Sequence, residues 1–143
     1  MYGITAKVNE VSAITDASVG NPLEHLATVL LRFQSGTIAT IVASRKLPDS
    51  HNNLTIYGSE GRAEIEDSLS VDLRGELTVK TDKIETLENY DTDPLAMYIR
   101  QVEMFNKAVM TEEKPVASGW DGLKAAEVTL AMIESVKTGR KVR

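Results

Sequence analysis

Cysteine is absent from the 143 residues, which excludes disulfides, zinc ribbons and a thiol nucleophile. Long apolar runs are absent too: nothing approaches the roughly 20 residues that a bilayer-spanning helix requires. The opening MYGITAKVNE lacks the layout of a signal peptide. Cations are scarce outside the last seven residues, KTGRKVR. With the four in that stretch set aside, 12 basic residues face 21 acidic ones, a net −9 over positions 1–136. Such a body repels phosphate backbones, so nucleic acid is not an expected partner. The basic end reads as cations near a helix C-terminus and in a solvated stretch. These absences lead to the expectation of a cytoplasmic protein with no membrane partner.

Catalytic signatures are missing as well. No GxGxxG or Walker loop offers a cradle for a dinucleotide pyrophosphate or a nucleoside triphosphate. Gly58-Ser59-Glu60-Gly61 has two glycines, but it lies between strands and reads as a hairpin turn. There is no HExxH and no GxSxG, and His25 and His51 stand apart from any ligand-like spacing. Glu64/Glu66 and Glu112/Glu113 read as solvated charges and not as a glycosidase pair.

What is present is ordinary globular material, 42% hydrophobic and 26% charged, at a length that suits a single domain over residues 1–143. KVNEVSAIT reads as a strand followed by the loop DASVGNP. EHLATVLLRF and IATIVASR read as a hairpin closed by QSGT. NNLTIYG and RAEIE form a second hairpin around Ser59-Glu60-Gly61. LSVDL and ELTVK read as two short strands around Arg74-Gly75. With no helix of useful length between them, an antiparallel meander is the economical pairing.

The last third changes period. Asp93-Pro94 sets an N-cap before a proline, and Tyr98, Val102, Phe105 and Val109 recur at helical spacing until Lys114-Pro115. A second helix opens within PVASGWDGLKAAE, where Ser118-x-x-Asp121 has the form of a capping box. Its apolar stripe reads as Leu123, Ala126, Leu130 and Ile133, with Gly139 at the expected C-terminal cap. The fold class is therefore α+β: an open, mostly antiparallel sheet with two C-terminal helices packed on one face.

The long hairpin is apolar on both sides. Ala27, Val29, Leu31 and Phe33 alternate with Leu26, Thr28, Leu30 and Arg32 along its first strand. Two helices cover only one face, so the other is expected to pack on a second copy of the chain. The alternative is a solvated face diluted by Thr and Ser.

Three stretches are polar enough to meet a ligand. In the connection Ser44 to Asn53, Arg45 suits a carboxylate or hydroxyls, His51 exchanges protons near neutrality, and Asn53 adds an amide. The alternative there is a plain surface loop. In Glu88 to Asp93, read as a loop, Tyr90 either stacks on a ligand or anchors the loop. At the helix entrance, Asp121 and exposed N–H groups suit a hydroxyl or an anion, and Trp120 either borders that site or plugs the core.

Taken in order, EHLATVLLRFQSGTIATIVASR, HNNLTIYGSEGRAEIE and PVASGWDGLKAAEVTLAMIESVKTGRKV resemble the C-terminal domain of the Gfo/Idh/MocA oxidoreductases. The likeness runs from about Lys7 to Val142, ending in ASG-x-DGL and S-x-x-TG-x-x-V. It implies NAD- or NADP-dependent hydride transfer on a sugar, an inositol-like cyclitol or a related alcohol. It also implies an N-terminal Rossmann domain holding the nucleotide, and a sheet that serves as the oligomer interface. The family's catalytic Lys belongs to the Rossmann side, and its Asp and His belong to a helix expected before Met1, so no residue of this chain inherits a catalytic role. Neither does any residue inherit a cofactor contact or a metal. The resemblance places Arg45, His51, Asn53, Trp120 and Asp121 toward the substrate. The expected role is the substrate-side and oligomerisation domain of such an oxidoreductase, inactive alone. The alternative is a non-catalytic binding module pairing through its sheet face with itself or with a separate Rossmann-containing partner.

Overall fold

A computed structural model describes residues 7–17, 23–48, 51–67, 74–91 and 93–143. In chain order the elements are β1 (Val8–Thr15), β2 (Leu26–Phe33), β3 (Ile38–Ser44), β4 (Leu54–Gly58), β5 (Gly61–Glu66), β6 (Arg74–Thr81), β7 (Glu85–Asp91), α1 (Pro94–Thr111) and α2 (Gly119–Thr138). They gather into two compact units, one of Met1–Pro48 with Ala117–Arg143 and the other of Asp49–Val116. The α+β class and the antiparallel pairing are as expected. The strands form two sheets, of order β1-β2-β3 and β4-β5-β6-β7.

In the first unit, Val11 and Ala13 of β1 stand opposite Leu31 and Val29 of β2. Those four are the buried core. The β2–β3 hairpin sets Val29 against Ile41 and Leu31 against Ala39. Its turn depends on Gly36 at φ 90°, a conformation that L side chains rarely adopt. The other face of this sheet is apolar and open: Ile14 is 73% exposed, Val42 62% and Leu30 49%.

Helix α2 lies on the core through Val128, Ala131, Met132 and Val136. This corrects the stripe read from the sequence, because Leu123, Leu130 and Ile133 are exposed. Both stripes have helical spacing; the chosen one also carries Ser135, the fully buried polar side chain among the described residues. There Ser135 Oγ accepts from the Ala13 amide at 3.0 Å and donates to the Arg140 carbonyl at 2.7 Å.

The second unit is the expected meander. Ser59-Glu60 turn β4 into β5, and Gly61 then pairs with Thr81 of β6 so closely that a Cβ would collide with the Lys80 carbonyl oxygen. Arg74-Gly75 are not a break between strands but the start of β6, and the LSVDL stretch lies outside the described residues. Glu88 to Asp91, read as loop, belong to β7, with Tyr90 opposite Gly75. The polarity of Glu85 to Asp91, exposed along its whole length, hides the strand from a reading by apolar alternation. Helix α1 starts where Asp93 Oδ1 accepts the Leu95 amide at 2.9 Å, and it ends on Glu112 in the left-handed region. Its stripe Tyr98, Val102, Phe105 and Val109 is exposed. Helix α2 packs on β1 of the three-stranded sheet.

Candidate functional site

The five residues singled out from the sequence fall in two places. Arg45, Trp120 and Asp121 belong to the first unit, His51 and Asn53 to the second. Arg45 follows β3, and its amide donates to the His25 carbonyl at 3.1 Å. Trp120 is 74% exposed, so it does not plug the core. The Asp121 carboxylate accepts from the Ser118 amide at 2.8 Å and from its hydroxyl at 2.6 Å, while Ser118 Oγ accepts the Asp121 amide at 3.3 Å. The expected capping box is present. Asp121 also lines a cavity of about 590 Å³ between β1 and α2, walled by Val8, Val11, Val128 and Ala131 and rimmed by Lys7 and Lys124.

In the second unit His51 and Asn53 converge on Asp67, a residue the sequence reading passed over. His51 Nδ1 stands 3.1 Å from Asp67 Oδ2, and Asn53 Oδ1 accepts the Asp67 amide at 3.2 Å. The Asn52 amide donates to Asp67 Oδ1 at 3.3 Å. The hydrogen bond from His51 is the main cause holding the Asp67 carboxyl below the usual carboxylate range. Asp67 has φ 52°, a left-handed conformation that Asp tolerates better than most residues. The available signal was an Asp at a strand end, the usual place for such a turn. Asp67 borders a second cavity of about 390 Å³ with Arg74, Tyr90 and Asp91. Tyr90 donates to Glu88 at 2.6 Å, and that bond pushes its hydroxyl above the ordinary tyrosine value.

Clusters of carboxylates, amides and an imidazole suit a polyhydroxylated ligand, whose hydroxyls both donate and accept. Among the described residues no group of three His, Asp or Glu is arranged to hold a metal ion. A dinucleotide does not fit the helix entrances. At α2 Ser118 takes the Asp121 and Gly122 amides, with the Asp121 carboxylate beside them; at α1 the Asp93 carboxylate takes the Leu95 amide. A pyrophosphate would meet negative charge at both.

The antiparallel α+β fold is shared with solved oxidoreductases. Residues 1–64 match the family model described as the GFO/IDH/MocA C-terminal domain. A D-xylose 1-dehydrogenase (NADP(+)) from Haloferax volcanii is 30% identical over 115 residues, 79% of this chain and 34% of that enzyme. The solved aldose-aldose oxidoreductase of Caulobacter crescentus superposes with a TM-score of 0.82 at 21% identity, covering 96% of this chain and 42% of that one. An oxidoreductase from Agrobacterium radiobacter, solved with NAD+, L-tartaric acid and magnesium, gives 0.75 at 22% identity, covering 95% and 43%. The chain belongs to the Gfo/Idh/MocA family as its C-terminal domain, and it spans about a third to two-fifths of the length of these relatives.

Proposed function

We propose that this chain is the substrate-side and assembly domain of an NAD- or NADP-dependent oxidoreductase acting on a sugar, a cyclitol or a related alcohol. The observation that supports this most is the identity with the D-xylose dehydrogenase, which runs through most of this chain yet covers a third of that enzyme. Division of labour follows from the chemistry. Residues 1–143 form the substrate-side domain, shaping and assembling without moving hydride, while the nucleotide is held by a separate Rossmann domain. Arg45, Trp120 and Asp121 in the first unit, and His51 and Asn53 in the second, are each substrate-facing candidates, and the protein works in the cytoplasm. Calorimetry on the chain alone should show no micromolar binding of NADH. In a magnetic-resonance titration with D-xylose and myo-inositol, signals of His51, Asn53 and Asp121 should move. A spectrum unchanged at saturating polyol sinks the substrate-side assignment.

The open face of the three-stranded sheet supports a second role, self-association. Ile14, Leu30, Ile38 and Val42 share that face and are each about half exposed or more. A homo-oligomer, or a complex with a separate nucleotide-binding partner, would cover them. A Leu30→Glu chain should sediment as a monomer where the parent is larger; identical sedimentation of the two discards the face as an interface.

A further inference from the structure

Asp67, directly after β5, holds two of the substrate-facing candidates through groups of opposite hydrogen-bonding sense. Its carboxylate meets His51 Nδ1 with both oxygens, at 3.2 and 3.1 Å. Kept below the usual carboxylate range by that contact, the carboxylate is ionised at neutral pH and can only accept. The His51 nitrogen beside it therefore carries a proton. When the ring is neutral it is the Nδ1–H tautomer, and whatever meets Nε2 meets an acceptor. Asn53 is set in the reverse sense: its oxygen is engaged by the Asp67 amide at 3.2 Å, so the group it offers in other directions is the NH2 donor. Asp67 keeps its own place through the Asn52 amide, which donates to Oδ1 at 3.3 Å, and through a left-handed backbone at φ 52°. These contacts also fasten the 51–53 stretch to the strand end. A fastening alone needs no particular ring tautomer, whereas a ligand site does.

We propose that Asp67 is a positioning residue that sets His51 as a hydrogen-bond acceptor and Asn53 as a donor toward a hydroxyl-rich ligand. The assignment rests on the reading of this chain as a sugar- or cyclitol-facing domain. Asp67 itself touches no ligand; it acts through the two side chains it orients. A hydroxyl both donates and accepts, so one acceptor and one donor two residues apart suit a polyol better than two groups of the same sense. Once Nε2 becomes a donor, both side chains donate, and the ligand's hydroxyl protons lose their acceptor. The Asp67 carboxylate thus determines specificity by fixing the sense of a hydrogen bond that it does not make.

The test compares the full parent chain with Asp67→Asn and Asp67→Gly. Asparagine tolerates the left-handed backbone. With its oxygen kept on the Asn52 amide, its NH2 takes the place of Oδ2 and donates to Nδ1. Glycine suits the same backbone and removes the side chain altogether. The ring-nitrogen shifts of His51 are read by magnetic resonance at pH about 8, where imidazole is neutral, with and without myo-inositol. The parent should carry the proton on Nδ1 and Asp67→Asn on Nε2. Inositol affinity, read from the shifts at His51 and Asn53, should fall about tenfold in both variants. Amide exchange in β4 and β5 should stay as in the parent. A parent ring protonated on Nε2 overturns the proposal, whatever becomes of the variants. So does an Asp67→Asn chain with a switched tautomer and unchanged inositol affinity. Variants that unfold, or whose β4 and β5 exchange quickens in step with the lost affinity, make Asp67 a fastening and overturn it too. An Nδ1–H parent that ignores both myo-inositol and D-xylose defeats the sugar-facing reading itself, and the positioning role falls with it.

Discussion

Ser135 and Ala13, 122 positions apart, are joined by a hydrogen bond of 3.0 Å between a helix hydroxyl and a strand amide. The same hydroxyl donates to Arg140, so one buried oxygen fixes α2, β1 and the segment after the helix together. Alanine at 135 leaves a strand amide and a carbonyl without partners. A loss of about 1–3 kcal/mol is expected in urea unfolding. An unchanged midpoint would mean that water replaces the hydroxyl at no cost.

Asp16 gives a prediction in pH. Its Oδ1 accepts the His25 and Leu26 amides at 2.7 and 2.9 Å, pinning the start of β2. The bond from Leu26 is the largest cause of its lowered pKa, followed by that from His25. A folded value below the unfolded one, near 3.9, gives stability that is fully present above that pH and is lost as pH falls through the folded value. Asp16→Asn keeps an acceptor without the charge. Between pH 5 and 2 the parent should lose more stability than Asp16→Asn; equal slopes would assign the acid sensitivity to other carboxylates.

Gly61 should tolerate no side chain. A Cβ there collides with the Lys80 carbonyl, which belongs to the strand ladder and cannot swing aside. Gly61→Ala is expected to cost about 1–3 kcal/mol. Amide exchange should quicken in β5 and β6 and stay unaltered in β1 to β3. Gly119→Ala, where a Cβ meets open space, serves as the control.

At the entrance to α2, Ser118→Ala removes half of the capping box and should lower stability by about 1 kcal/mol. Asp121 then loses a hydroxyl donor at 2.6 Å and keeps the Ser118 amide at 2.8 Å, so its carboxylate is held by one bond fewer. A Ser118→Ala chain should therefore weaken any polyol-induced shift at Asp121 while leaving the shift at His51 intact. Parallel loss at both would discard a separate role for the Ser118–Asp121 contact.

The local chemistry of this fold was legible residue by residue. Asp93-Pro94, Ser118-x-x-Asp121, Gly139, QSGT and Ser59-Glu60-Gly61 each act where they were expected, because caps and tight turns depend on neighbours within a few positions. Polar strands were harder: Tyr90 and Arg74-Gly75 sit in paired β-structure with no apolar alternation to reveal it. In the ligand-facing stretch, His51 and Asn53 were visible as residue types. Asp67, which gathers them, comes from a strand end 14 positions beyond Asn53.

By itself the sequence determined the antiparallel pairing and the helix boundaries, since these follow from periodicity, capping and turn residues. Only the tertiary structure decided which side of α2 faces inward and what seals β1. Helix α2 is apolar on two sides, so hydrophobicity left its rotation open. The choice fell to Ser135 and Val142, whose hydrogen bonds satisfy edge groups of β1 more than a hundred positions away.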